Sequence, residues 1–281
     1  MLKERLMTAA ILIPLVIWGI FALSTFPAFA IVIGIFVSLG VIEWTKLIGL
    51  DQSKGNDKGQ LKTNYLILVV ALIFSSYGIM QSGFLFALFL LASVAWWTVQ
   101  IFNLPAYDGE EGFGDSSILQ NCWTGVFLLV PTWVSLMFLH QQSEIGSGLV
   151  LFLLLLIWTA DSGAYFAGRK YGKNKLAPLI SPGKTKEGAY GAFAASGIVA
   201  FFGGLWLDLS FIQFVFFILL SAIVVIYSIG GDLLESVYKR RAGVKDSGAL
   251  LPGHGGVLDR IDSLMSAAPI FTLGVWILGV I

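Results

Sequence analysis

Nine stretches of this chain, recurring from residue 6 to residue 281, are apolar over close to the roughly 20 residues that a helix needs to cross a bilayer's hydrocarbon core. They cover about 6–24, 28–48, 64–81, 83–102, 121–139, 148–168, 188–207, 211–232 and 263–281, and leave no room for a separate soluble domain. Lipid offers no hydrogen bonds, so each run must pair its backbone groups within itself or within a closed barrel. The alternation of barrel strands is missing, which leaves helices. The expected fold is an all-α polytopic membrane protein of about nine transmembrane helices in a single membrane domain, 1–281. Residues 1–140 supply the less informative N-terminal helices. Residues 148–281 form the chemically richer half, with polar loops at 169–187 and 233–262. Composition agrees: 57% of the residues are apolar and 12% charged, against about half and a quarter in soluble domains. Pro14 and Pro131 are read as tolerable kinks. The first run, Leu6 to Leu23, exceeds the roughly 7–15 apolar residues of a cleaved leader and is read as the first anchor.

The charges follow the same periodicity. With the N-terminus inside, all 17 Lys and Arg fall at the N-terminus, around the second loop, or in the sixth and eighth loops. That is the one-sided pattern of cytoplasmic connections, so a cytoplasmic N-terminus is expected. Asp108, Glu110, Glu111 and Asp115 make the fourth loop acidic on the same side, which the rule permits because acids contribute little to topology. The net charge of zero argues neither for nor against nucleic acid, and none is expected as a partner. The lone Cys122 rules out an internal disulfide and a cysteine-built metal site. Paired broken helices of the kind found in many transporters are not evident.

Against this apolar background the segment from Ser236 to Asp262 is densely charged. If the eighth helix continues past the bilayer, Asp232, Glu235 or Ser236, and Lys239 share one face. A carboxylate and an ammonium pointing together suit a divalent cation at Asp232 with Lys239 on the phosphate it bridges; they equally suit a salt bridge within the helix. Arg240, Lys245 and Asp246 follow, then a Gly/Pro-rich turn whose free N–H groups can face an anion. His254 precedes a Gly-Gly pair and has a catalytic or a hydrogen-bonding role. Asp259, Arg260 and Asp262 lead into the last span, where Asp262 also suits helix capping. Oxygen ligands without cysteine indicate Mg²⁺ more readily than zinc.

Upstream, Asp161 stands about two turns inside the end of the sixth span, where a carboxylate is costly and marks a functional site by default. Glu43 is a lesser case that also fits snorkelling. The loop Ser181-Pro-Gly-Lys-Thr-Lys-Glu187 contains Gly-Lys-Thr, but Pro178 stands where a P-loop needs its first glycine and no strand is expected before it. What remains is a basic, hydroxyl-bearing loop suited to nucleotide phosphates, lipid headgroups or the anionic leaflet.

These residues resemble the phosphatidate cytidylyltransferase family, the CDP-diacylglycerol synthases. The likeness is close over Ser236 to Asp262: Ser-x-x-Lys-Arg, four residues, Lys-Asp-x-Gly, then Pro-x-His-Gly-Gly-x-x-Asp-Arg-x-Asp. Asp161-Ser-Gly-Ala-Tyr-x-x-Gly-Arg and Ser181-Pro-x-Lys-Thr-x-Glu-Gly188 extend it upstream. Tyr238 departs from the aliphatic residue or Phe usual there. The resemblance implies an enzyme of phospholipid biosynthesis that transfers a cytidylyl group from CTP to phosphatidic acid with Mg²⁺, with a second cation as an option. It implies a homodimer in a bacterial inner membrane with its site facing the cytoplasm. Carried onto this chain, Asp232, Asp246 and Asp259 are expected at metal, with Asp161 close by. Lys239, Arg240, Lys245 and Arg260 are expected at phosphates, and Ser181, Lys184, Thr185 and Glu187 on the nucleotide side; His254 and Asp262 complete the set. The readings that compete are a CDP-alcohol phosphotransferase, whose Asp-Gly-x-x-Ala-Arg pattern is absent because Ser162 follows Asp161, a secondary transporter using Asp161 and Glu43, and a lipid kinase-like enzyme.

Overall fold

A computed structural model of the chain describes residues 2–23, 26–50, 56–109, 117–142, 144–250 and 255–281. Among them are nine α-helices: α1 (Leu2–Ala22), α2 (Phe26–Leu47), α3 (Asn56–Met80), α4 (Gly83–Asn103), α5 (Ile118–His140), α6 (Gly146–Tyr171), α7 (Lys186–Trp206), α8 (Phe211–Arg241) and α9 (Leu258–Ile277). The all-α architecture expected from the apolar runs is therefore observed. Seven helices, α2 to α8, are long and apolar enough to cross a membrane by themselves. In α1 the apolar part is the shorter Ile13–Ala22, and α9 carries Asp259, Arg260 and Asp262 in its first turns.

Caps mark several starts. Ser82 and Ser117 accept the N–H groups of Leu85 and Gln120, closing the first turns of α4 and α5. Helix α5 is the most enclosed, with Val134, Met137 and Leu139 fully buried, and it packs against α2, α3, α6 and α9. Its contacts tie the first half of the chain to the second.

Three differences from the expected elements matter for the site. Helix α8 continues to Arg241; its 31 residues reach about 46 Å at about 1.5 Å each, more than a hydrocarbon core of about 30 Å. Its last turns therefore leave the lipid, bringing Asp232, Glu235 and Lys239 to the interface on one helical face. Helix α9 begins at Leu258, five residues before the expected position, so Asp259, Arg260 and Asp262 ride on it. Asp262 is thus inside the helix rather than capping it. The third difference is a two-stranded antiparallel hairpin, β1 (Lys175–Ala177) and β2 (Ser181–Thr185), where a loop without strands was expected. Gly183-Lys184-Thr185 is the end of β2, and Pro178 still excludes a P-loop.

Helices α6 and α7 leave and enter the hairpin and pack closely along their length. The seam is made of small residues: a Cβ on Gly163 would collide with the Gly191 carbonyl, and one on Gly191 with Ala167. Small residues let helix backbones approach where lipid gives no hydrophobic drive. The approach fixes the hairpin directly over Asp161.

Candidate active site

A cavity of about 340 Å³ opens where α6, β2, α7 and α8 meet, lined by Asp161, Tyr165, Arg169, Lys184, Thr185 and Gly188 among others. Asp161 is exposed to this space rather than packed away, as a wet cavity requires of an acid so deep in a span. Lys184 reaches from β2 to α8, where its Nζ lies 2.7 Å from Asp232 Oδ2. Asp161 lies within electrostatic reach of Asp232, Lys184 and Arg260. On the other oxygen of Asp232, the Ser236 hydroxyl donates at 3.4 Å. Arg169 Nη1 donates to Tyr165 Oη one turn back on α6 at 3.0 Å, and both line the cavity.

Next to the cavity lies a buried ion cluster. Lys239 Nζ sits 2.6 Å from both Glu235 Oε2 and Asp259 Oδ1. The second oxygen of Asp259 accepts the N–H groups of Ser247 and Gly256, each at 2.8 Å, and the Ser247 hydroxyl at 2.9 Å. Glu43, buried on α2, accepts the N–H groups of Val257 and Leu258 at 3.0 and 2.9 Å, and its Oε2 lies 3.2 Å from the Ser247 hydroxyl, whose one proton it shares with Asp259. Glu43 does not snorkel; it satisfies the free N–H groups of Val257 and Leu258 at the start of α9. The approach is close enough that a Cβ on Gly248 or Gly256 would strike its carboxylate.

The expected site residues divide into two groups. Asp161 and Lys184 line the cavity, Asp232 meets it through its pair with Lys184, and Arg260 lies within electrostatic reach of Asp161. Lys239 and Asp259 come together as well, as an ion cluster with Glu235: two of the three ammonium N–H groups go to carboxylates, and both oxygens of Asp259 accept protein donors. Several hairpin residues also do structural work. Ser181 pairs with Ala177 in the ladder. Thr185 caps α7, its hydroxyl accepting from Gly188 N at 3.1 Å. Glu187 accepts the N–H groups of Lys173 and Asn174 and the Asn174 side-chain amide, tying the hairpin's entry to α7. Arg240 Nε donates to the Ile180 carbonyl at 3.3 Å, fastening the hairpin turn to α8. Lys245 and Asp246 are exposed on the connecting loop. Asp262 is half-buried, within electrostatic reach of Asp232 and Glu235. His254 lies outside the described residues. The sequence reading left Glu235 and Glu43 out of the site; their signals were an i, i+4 spacing to Lys239 and an acid near the end of a span.

Among the described residues, no three His, Cys, Asp or Glu side chains close into a metal cage. Mg²⁺, however, is commonly held by one or two carboxylates together with substrate phosphates and water. Asp232, with Asp161 in the adjoining cavity, supplies hard oxygen donors of that kind, so this pair fits the ion. Asp259 is more heavily engaged than Asp232, with Lys239 on one oxygen and three protein donors on the other.

The cytidylyltransferase family profile matches residues 3–278. A phosphatidate cytidylyltransferase of Pseudomonas aeruginosa is 40% identical over 99% of this chain and 98% of its own length. Its namesake in Haemophilus influenzae is 35% identical over 97% of this chain and 98% of its own. That of Staphylococcus saprophyticus is 41% identical over 50% of this chain and 54% of its own. Agreement over nearly the whole chain, joined to the charged cavity at the ends of α6 and α8, shows that this protein belongs to the cytidylyltransferase family.

Proposed function

We propose that the chain transfers a cytidylyl group from CTP to phosphatidic acid, giving CDP-diacylglycerol and pyrophosphate. The observation that carries this reading is a cavity lined by Asp161 and by Lys184, whose ammonium is paired with Asp232 on α8, in a chain of this family. An oxygen of the lipid phosphate forms a bond to the α-phosphorus of CTP as the bond from that phosphorus to the bridging β-phosphate oxygen breaks. Pyrophosphate leaves with the electron pair. The nucleophile is already anionic, so no strong base is needed, and the protein's work is positioning and charge neutralisation.

Lys184 is placed to meet the triphosphate, with Arg169 and Arg260 adding positive charge at the rim. Asp232 and Asp161 would hold Mg²⁺, which supplies charge neutralisation on the phosphate oxygens. The contacts of Ser247, Gly256, Val257 and Leu258 with Glu43 and Asp259 fix the start of α9, and with it Arg260 and Asp262. The one-sided distribution of Lys and Arg supports placing this end of the bundle at the cytoplasm, and the bacterial relatives support an inner membrane. A homodimer is supported by the family resemblance alone.

The test is product analysis. Purified protein given labelled CTP, phosphatidic acid and Mg²⁺ is expected to release pyrophosphate and cytidine-labelled lipid in equal amounts. Release of CMP or CDP, with no label in lipid, would overturn the reading.

A further inference from the structure

Helix α8 borders two cavities. The second, about 380 Å³, lies between α4, α5 and α8. From α8 it takes Leu234, Val237, Tyr238 and Arg241, which follow the i, i+3, i+4, i+7 rule and share a face. Asp232 lies on the other side of the helix. This space is therefore separate from the catalytic cavity.

We infer that this second cavity binds the phosphate headgroup of an anionic glycerophospholipid, at a site distinct from that of the reacting lipid. Its one charged lining residue is Arg241, and no carboxylate lines it among the described residues. The Arg241 guanidinium lies over two rings, 5.8 Å from the Tyr107 centroid and 6.0 Å from that of Tyr238, and makes no ion pair among the described residues. A guanidinium so placed has its N–H fork available for phosphate oxygens. Around it stand the neutral amides of Gln100, Asn103 and Gln120, which suit glycerol and ester oxygens.

The opposite wall is aromatic: Trp96 stacks on Phe127 with centroids 5.1 Å apart, and Trp123 is 47% exposed. Tryptophans of this kind mark the membrane interface. A basic pocket between transmembrane helices at that level recognises phospholipid headgroups. Inorganic phosphate and nucleotide share the anionic chemistry but have no acyl chain to cover the aromatic wall, so a lipid is the occupant assigned. The inference does not depend on the transfer reaction.

The experiment reads tryptophan fluorescence of the full chain in a neutral detergent, titrated with phosphatidylglycerol brominated on its acyl chains. Saturable quenching is expected, weaker with brominated phosphatidylcholine, and not displaced by excess inorganic phosphate or CTP. Arg241→Gln is expected to raise the half-saturating phosphatidylglycerol concentration about tenfold, the loss of one charge-assisted contact. Trp123→Phe, a conservative change at an exposed position, is expected to remove a measurable part of the quenching, so that the site stays testable if the arginine variant does not fold. Equal quenching by the two lipids, displacement by phosphate or CTP, or quenching unaltered in Trp123→Phe would each overturn the inference. Because the signal requires no turnover, failure of the transferase reading would leave this result unchanged.

Discussion

Lys184 on β2 and Asp232 on α8 hold their charged ends 2.7 Å apart, although one lies in a connection between spans and the other on a spanning helix 48 positions later. The pair joins the hairpin to the long helix and gives the cavity both signs of charge. An ammonium in that position is expected to move between Asp232 and an incoming triphosphate. Lys184→Met is therefore expected to lower kcat/KM for CTP by about 10- to 100-fold, equivalent to about 1.4–2.8 kcal/mol of transition-state stabilisation. Lys184→Arg should recover part of the loss. Steady-state kinetics on purified protein checks both.

Glu43 is the structural counterpart of that pair. Its carboxylate receives two N–H groups and a share of one hydroxyl from a segment more than 200 residues away. Glu43→Gln keeps the size but removes the charge and one acceptor oxygen, and leaves buried donors short of a partner, at a cost of about 1–3 kcal/mol. The expected signature is local: faster hydrogen exchange at Val257 and Leu258, with α4 protection unchanged. Unaltered exchange at those two amides would remove Glu43 from this role.

Lys239 gives a sharper prediction. Replacing it with Met leaves Glu235 and Asp259 facing each other at a buried site without a counter-charge, and breaking such a cluster costs about 3–5 kcal/mol. Lys239→Met is expected to unfold at much lower temperature than the parent. Adding Glu235→Gln should restore part of the stability, because one of the stranded charges is gone. If the residue served only to hold phosphate, the single variant would keep its stability and lose only activity; thermal unfolding in detergent separates the two.

Much of this was legible in the sequence for definite reasons. Asp161 stood out because a carboxylate inside an apolar run is expensive, and the cavity beside it is what makes it tolerable. The face shared by Asp232, Glu235 and Lys239 followed from helical spacing once α8 was extended past the lipid. The partner of Lys239 was ambiguous, since spacing shows Glu235 but not Asp259, which approaches from another helix. The hairpin was hidden because its strands are three and five residues long and contain Pro182 and Gly183, neither a strand former. Its register comes from outside, through Glu187, the Thr185 cap and Arg240. The role of Glu43 was hidden for a different reason: it binds backbone N–H groups, which leave no pattern in side-chain chemistry.

The claim at the centre of this account is that Asp232 works at the reacting phosphates and does not merely brace Lys184. The most direct measurement is Mg²⁺-dependent formation of cytidine-labelled lipid by Asp232→Asn protein that has inserted and unfolds at the parent's temperature. The account expects a fall in turnover of about 100-fold or more, on the scale of losing one electrostatic stabiliser of a transition state. Full turnover with the parent's Mg²⁺ dependence would contradict it.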